Sequence, residues 1–328
     1  MTRWGFVATG SIAATVAGDL ALVPGAQALA VASRDAVRAT AFARQHGFER
    51  SYGSYADLLA DPDVDVVYVA TPHAQHRAVA RAALRAGKHV LVEKAFTTTL
   101  EGTHELVDLA RERGLFAMEA MWTRFLPLWR HLLDALASGA VGEVRHVHAD
   151  LGVPVPVDPT NRFHDPAQGG GSLLDMGVYP TTVAAMVLGP PSEVLARGPL
   201  TPTGVDAETT LLLTHPGGAT ATTYSTLVAS PPRGAVITGT LGRVEVEAPL
   251  HVPGAYVVHR ADAAPERVVV EHRGRGYVHM LEHVQQRLAA GATESDLWPL
   301  ASTLSVMTTL EHALQQLGVV REDDLPLP

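Results

Sequence analysis

The sequence predicts two domains of the α/β class: a doubly wound parallel sheet over residues 1–121, then an α+β domain over residues 122–328 built on a large open, mostly antiparallel sheet. Three observations predict it. The chain has 328 residues, enough for about two domains at roughly 150 residues each. Between Trp4 and Ala120, short and nearly continuous apolar runs alternate with stretches of helical period, the pattern of successive β-α-β units whose strands are covered on both faces. From Glu193 to His272 the chain is instead rich in Thr and Val and punctuated by turn residues such as Pro216-Gly217-Gly218, the texture of an antiparallel sheet.

The elements follow in order. Gly5-Phe6-Val7-Ala8 opens the strands, followed by Ala28-Leu29-Ala30-Val31-Ala32, residues 64–70, His89-Val90-Leu91-Val92 and residues 115–118. Between them, residues 12–23, 35–46, 55–59, 76–86 and 100–113 carry apolar side chains at every third or fourth position and predict helices. Gly47, Gly87 and Gly114 stand just past three of these, where a left-handed residue closes the last turn. Beyond Ala120, residues 125–137 predict a helix that ends at Ser138-Gly139, and residues 144–151 alternate as a half-buried strand. The run Gly169-Gly170-Gly171 precedes an apolar helix over residues 172–187, and helices over 277–289 and 297–317 close the chain. The Pro-rich stretch 153–159 lies between a strand and a helix of the same half, so it reads as an ordered loop at a site rather than a linker.

Composition narrows the function classes. Hydrophobic residues make up 47% and charged residues 18%, a balance that belongs to a folded globular chain rather than to a disordered one or a membrane bundle. With 25 Lys and Arg against 34 Asp and Glu the formal charge is −9, which argues against nucleic acid as a partner. Cysteine is absent, which excludes disulfide scaffolds, thiolate nucleophiles and Cys-ligated metals and fits a reducing compartment. Arg3, the apolar stretch after it and Ala26-Gln27-Ala28 have the outline of a signal peptide, but Gly5, Gly10, Gly18 and Asp19 interrupt it and its first part reads as a strand. No run of about 18 apolar residues offers a membrane span, so no membrane partner is expected and the cytoplasm is the expected location.

The first turn, Ala8-Thr9-Gly10-Ser11-Ile12-Ala13, sits directly after a strand and before a helix. That is the context of a dinucleotide fingerprint, in which the central glycine lets the backbone approach a pyrophosphate and the helix start holds its charge. Ala8 stands where such fingerprints usually have their first glycine. The second strand ends in Ser33-Arg34-Asp35 with Arg38 one helical turn on. A guanidinium pairs with a 2′-phosphate in bidentate fashion, so this tip favours NADP, while Asp35 leaves a ribose contact and NAD open. Lysine usage is the sharpest compositional clue: Lys88 and Lys94 are the only lysines among the 25 basic residues. A chain that uses arginine nearly everywhere retains lysine where a compact, pKa-tunable ammonium matters. Lys94 follows the strand His89-Val90-Leu91-Val92 at the edge where such sheets bind ligands, whereas Lys88 beside a helix end reads as structural. His73, His76, His146, His148 and His164 lack the spacing of a metal set, and no metal is expected.

These residues carry a resemblance. Gly87-Lys88-His89-Val90-Leu91-Val92-Glu93-Lys94 resembles the strand and catalytic lysine of the Gfo/Idh/MocA oxidoreductases, and Thr71-Pro72-His73-Ala74-Gln75-His76 resembles their nucleotide loop. Met118-Glu119-Ala120-Met121-Trp122-Thr123-Arg124-Phe125 and the segment from Gly170 to Tyr179 resemble the branch of dimeric dihydrodiol dehydrogenases and NADP-dependent D-xylose 1-dehydrogenases. The resemblance implies a Rossmann domain and a hydride transfer. It implies a cofactor site from Ala8, Gly10, Ser11, Ile12, Ser33, Arg34, Arg38, Thr71, Pro72, His73, His76, Glu93 and Lys94. It further implies Lys94 beside the nicotinamide, Tyr179 as the proton carrier, Asp175 holding substrate, and Trp122, Arg124 and Phe163 lining the pocket. A phenol with pKa near 10 is a poor base at neutral pH, and a nearby ammonium stabilises its phenolate, so a Tyr–Lys pair is chemically sensible. Asp175 and Tyr179, four residues apart in a helical segment, face one side. One departure stands out: Ala95 replaces the proline that usually follows the lysine, commonly after a cis bond, and a cis bond before a non-proline residue costs about 3 kcal/mol. A different local backbone is therefore expected there.

The expected activity is that of an NADP-dependent dehydrogenase acting on a sugar, cyclitol or trans-dihydrodiol. The alternative is a non-catalytic dinucleotide-binding regulator on the same fold, against which the retention of both Lys94 and Tyr179 argues. By the same resemblance, the free face of the second sheet is expected to meet a second copy in a homodimer.

Overall fold

A computed structural model describes residues 1–158 and 160–327, so Pro159 of the Pro-rich loop and Pro328 of the expected second domain lie outside the described residues. The chain divides into two compact units. The first comprises Met1–Trp122, Arg273–Thr303 and the tail from Glu322, and the second Thr123–His272 and Leu304–Arg321. The sequence pattern changes once, near residue 121, and gives no sign that residues 273–303 rejoin the first unit.

In the first unit, β1 (Thr2–Val7), β2 (Ala26–Ala32), β3 (Arg50–Tyr52), β4 (Val66–Val69), β5 (His89–Val92) and β6 (Ala117–Glu119) form a parallel sheet in the order β3-β2-β1-β4-β5-β6. Helices α1 (Ser11–Leu20), α2 (Ala36–His46), α3 (Tyr55–Ala60), α4 (His73–Arg85) and α5 (Leu100–Arg113) connect the strands. The doubly wound fold is as the apolar runs predict. Phe6, Val31, Val67, Tyr68 and Leu91 have no exposed surface, and each such side chain contributes about 1.5–3 kcal/mol by leaving water. Strand β3 escaped the apolar-run criterion because its three residues are all half-buried. Gly47, Gly87 and Gly114 have φ of 75°, 77° and 61°, the left-handed geometry expected of helix ends. The strand order reverses between β1 and β4, and open α/β sheets bind ligands at such a reversal, outside the carboxyl ends of the strands.

In the second unit, α6 (Pro127–Ala137) precedes β7 (Val144–Gly152), and a π turn over Leu173–Gly177 leads into α7 (Val178–Leu188). The strands β8 (Glu193–Arg197), β9 (Glu208–Thr214), β10 (Thr220–Thr226), β11 (Ala235–Gly239), β12 (Gly242–Val246), β13 (Ala255–Arg260) and β14 (Glu266–Val269) complete an eight-stranded sheet in the order β14-β13-β12-β11-β7-β10-β9-β8. It is antiparallel except where β7 inserts parallel to β10. Inward side chains such as Val147, Leu211, Ala221 and Ile237 are buried, with α7 packed on β7 and β10. The opposite face leaves Leu195 and Leu212 exposed and carries His146 and His148 hydrogen-bonded to Thr220 and Thr222. The closing helices are α8 (Val278–Ala289) in the first unit and α9 (Leu300–Leu317), which passes into the second unit at Leu304.

The expectation that no segment has the length and hydropathy of a membrane span is corrected at one place. Within Pro166–Leu188, 23 residues long, an 18-residue window reaches a mean hydropathy of 1.2, because the helix that carries Asp175 and Tyr179 is apolar nearly all round; 72% of that window is buried inside the protein, as in a core helix.

Candidate active site

Among the helices that connect the strands of the first sheet, the starts fall into two groups. Asp35 caps α2 by accepting from Val37 and Arg38 N–H, Ser54 caps α3 and Thr99 caps α5. The starts of α1 at Gly10 and α4 at Pro72 have no side-chain cap, and these two helices follow β1 and β4, the strands on either side of the reversal. A helix start whose N–H groups lack internal partners is a ready anion site. The residues present fit a dinucleotide: a Cβ at Gly10 would meet nothing within 4 Å, and the buried Thr71 Oγ1 has no partner among the described residues. Ser11 is exposed and Ile12 half-buried at the same helix start. Ala8, in the first-glycine position, has φ 90°, a left-handed conformation that costs a side-chain-bearing residue about 1–2 kcal/mol.

At the tip of β2 the structure separates the cofactor candidates. Asp35 Oδ1 is taken by Val37 N at 2.8 Å and Arg38 N at 3.2 Å, and Asp35 N donates to Ser33 Oγ. Arg34 and Arg38 are exposed, and both act on the buried Tyr55 at the start of α3: burial pushes its phenol up while the two guanidinium groups pull it down. Two cations thus converge on the strand end, while the carboxylate beside them is occupied with capping.

The segment after β5 is held from several sides. His73 Nε2 lies 3.0 Å from the Lys94 carbonyl oxygen. The fully buried His76 places Nδ1 2.9 Å from the Ala95 carbonyl and Nε2 2.9 Å from that of Thr71. Burial pushes its pKa down to about 3, so the ring is neutral and donates to one carbonyl at a time. Glu93 accepts from Tyr68 Oη at 2.6 Å, and burial pushes its carboxyl up to about 7. Glu119, also buried and raised, accepts from Phe96 N, Trp298 Nε1 and Thr303 Oγ1. The Lys94 ammonium favours the ionised form of both carboxyls. Contrary to the expectation raised by Ala95, the Lys94–Ala95 peptide is cis. Lys88 is structural as expected, its Nζ donating to the carbonyls of Asp61 and Val64. Trp122 stacks on Tyr277 with ring centroids 4.2 Å apart at 18°.

The second unit gathers the remaining candidates. Asp175 and Tyr179 are both buried, one in the π turn and one in the first turn of α7. Arg162 donates through both terminal nitrogens to Asp175 Oδ1 at 3.2 Å and lies 4.0 Å above the Phe163 ring. The Tyr179 ring lies against His251 at 5.3 Å between centroids. Thr123 Oγ1 donates to the carbonyl of His251, and burial pushes the neighbouring Arg124 guanidinium down. Sequence reasoning missed Arg162, His251 and Tyr277. The first is adjacent to a chosen residue and carries a charge that signals it; His251 reaches Tyr179, and Tyr277 reaches Trp122, only through folding. Among the described residues, no group of three or more His, Asp or Glu gathers in a metal-binding arrangement.

The profile described as "Oxidoreductase family, NAD-binding Rossmann fold" (Gfo/Idh/MocA) matches residues 2–121, and that of the Gfo/Idh/MocA C-terminal domain matches residues 129–245. The chain is similar to trans-1,2-dihydrobenzene-1,2-diol dehydrogenase of Xenopus laevis, with 35% identity over 97% of this chain and 99% of the relative. It is also similar to the enzyme of that name from Bos taurus, with 36% identity over 98% of each. Among solved structures, the 3-ketoreductase KijD10 of Actinomadura kijaniata, in complex with NADP and TDP-benzene, superposes with a TM-score of 0.85 at 28% identity over 99% of both chains. The chain belongs to the Gfo/Idh/MocA family of oxidoreductases.

Proposed function

We propose that this oxidoreductase is an NADP-dependent dehydrogenase acting on a carbinol of a sugar, cyclitol or trans-dihydrodiol, with Tyr179 carrying the proton and Lys94 supplying the ammonium. The observation that carries the cofactor preference is the tip of β2: Asp35 is committed to capping α2, while Arg34 and Arg38 remain exposed with Ser33 between them and the strand. A 2′-phosphate gains two cations and a hydroxyl there, whereas a ribose diol would have to share a carboxylate that already accepts two main-chain N–H bonds. The bare starts of α1 and α4 bind phosphate through main-chain N–H groups, and Thr71 Oγ1 offers a further polar contact. When bound, the nicotinamide supplies the hydride acceptor or donor.

The chain's residues then manage the proton and the substrate. Tyr179 takes the carbinol proton as its phenolate and returns it in the reverse direction, and the Lys94 ammonium favours that phenolate. Asp175, oriented by Arg162, accepts from a substrate hydroxyl, and Phe163, Trp122 and Arg124 bound the substrate. The substrate class is supported by the dihydrodiol dehydrogenase relatives and the 3-ketoreductase neighbour. The test is absorbance at the reduced-nicotinamide band with a panel of aldoses, cyclitols and trans-dihydrodiols, with NADP and NAD side by side. Turnover with none of them, alongside tight NADP binding, replaces the enzyme by a dinucleotide-binding regulator. We further propose a homodimer through the free sheet face that bears Leu195 and Leu212; sedimentation as a monomer at micromolar concentration removes that part.

A further inference from the structure

We propose that Asp206 is the positioning residue for the proton-transfer helix, a long-range cap that fixes the π turn and thereby the directions of Asp175 and Tyr179. The proposal rests on the roles given above to those two residues. The π turn and α7 have no side-chain cap from their own N-cap residues. Asp206, without exposed surface, supplies one from 33 residues away: its Oδ2 accepts from Leu173 N at 2.7 Å and Ser172 Oγ at 2.7 Å, and from Thr209 Oγ1 at 3.1 Å. Its main-chain carbonyl accepts from Ser172 N at 2.9 Å. All the groups involved lie in the second unit.

The surroundings are shaped to this carboxylate. Gly171 has φ 114°, and a Cβ there would come within 2.2 Å of Asp206 Oδ1. On the far side, Ser225 Oγ lies 3.1 Å from Ser172 Oγ, and a Cβ at Gly177 would meet the Ser225 side chain at 2.8 Å. The glycine before the turn and the glycine at its end are thus both fitted to the groups that hold it. Burying a carboxylate is costly: burial pushes that of Asp206 up to about 6, its Oδ1 has no hydrogen-bond partner among the described residues, and a neutral asparagine caps helices about as well in general. What the charge adds is strength at one point: charge-assisted bonds from the first N–H of the turn and the hydroxyl before it, at a helix start that favours negative charge. A π turn closes one residue later than an α turn and occurs mostly at functional sites. The relative directions of Asp175, inside it, and Tyr179, just beyond it, therefore depend on whether it stays wound that way.

The experiment compares Asp206→Ala, Asp206→Asn and Tyr179→Phe in the full-length enzyme, reading kcat, substrate KM, NADP dissociation constant and amide exchange at residues 173–179. Asp206→Ala should lower kcat by about tenfold or more, the scale of a lost charge-assisted bond, with the NADP dissociation constant unchanged and exchange accelerated selectively over 173–179. Asp206→Asn should restore most of the lost turnover. A folded Asp206→Ala enzyme with parental kcat overturns the proposal, as does a uniform rise in exchange with equal loss of NADP affinity, which marks a merely structural residue. Should Asp206→Ala not fold, Thr209→Val and Ser172→Ala each remove one donor, and parental kcat in both overturns it. Full activity in Tyr179→Phe instead removes the role given to Tyr179, and the exchange measurement then decides the Asp206 cap by itself.

Discussion

The helix starts at the reversal of the first sheet and the π turn of the second unit treat their polar groups in opposite ways. In the first unit, at the reversal between β1 and β4, the chain leaves groups open: α1 and α4 start without caps, and Thr71 Oγ1 is buried without a partner among the described residues. Its other helices from α2 to α5 are capped by Asp35, Ser54 and Thr99. In the second unit, the π turn that leads into the helix carrying Tyr179 is closed by the Asp206 carboxylate from a distant strand region, which accepts three hydrogen bonds. The difference separates two kinds of readiness. An open helix start waits for an anion from outside, whereas a closed one holds its own side chains still.

The contrast can be broken by mutations that cross it. Tyr179→Phe, in the closed region, keeps the ring and should lower turnover by about 10²–10⁴ while leaving NADP affinity and folding intact; stopped-flow turnover with a cofactor titration checks it, and a matching fall in affinity would erase the division. Gly10→Val should do the reverse. A Cβ there meets nothing within 4 Å, so melting temperature should hold while dinucleotide affinity falls by a larger factor than any single lost contact.

Smaller changes sharpen it. Arg34→Ala should weaken NADP by roughly 10- to 150-fold, the worth of a charge-assisted bond of about 1.5–3 kcal/mol, and leave NAD nearly unchanged; equal losses would show that Arg34 serves another purpose. Glu93→Gln probes the buried carboxyl raised from 4.5 to about 7. A folded-state pKa above the unfolded one means that stability is lost as pH rises through the folded value. The cofactor-free variant, which cannot ionise, should melt above the parent beyond pH 7, and its advantage should shrink as pH falls toward 4.5. Asp35→Ala, in a capped helix away from the reversal, should cost only about 1 kcal/mol in a denaturant titration.

Much of this was legible before folding was known. Apolar runs and helical periods located five of the six strands of the first sheet, and His89–Val92 and Leu100–Arg113 match to the residue. Strand β3 was not legible, because three half-buried residues at a sheet edge carry no pattern. The open texture of residues 193–272 announced an antiparallel sheet, but the parallel insertion of β7 beside β10 depends on pairing between segments about 74 residues apart, which no local pattern encodes.

The same distinction holds for the site. The fingerprint turn, the arginines at the tip of β2 and the isolated Lys94 were visible because each is set by a local requirement: a tight turn, a strand end, a residue type used twice in 328 positions. The commitment of Asp35 to capping was not visible, since the same Asp at a strand end serves either a ribose or a helix start until the backbone settles which N–H groups it faces. Asp206 gave no sign of its capping role, since the turn N–H and the hydroxyl it holds lie 33 and 34 residues earlier in the chain.

What the sequence determined by itself is therefore everything that repeats along the chain: the two textures, the helix ends closed by Gly47, Gly87 and Gly114, and the identity of the residues able to bear charge at the edge of the first sheet. These follow from periodicity and conformational preference, which act over a few residues. Only the tertiary structure decided which polar groups are spent on the fold and which are left for a ligand. A buried carboxylate or N–H must find its partner wherever the folded chain brings one, and that partner is set by three-dimensional proximity rather than by spacing.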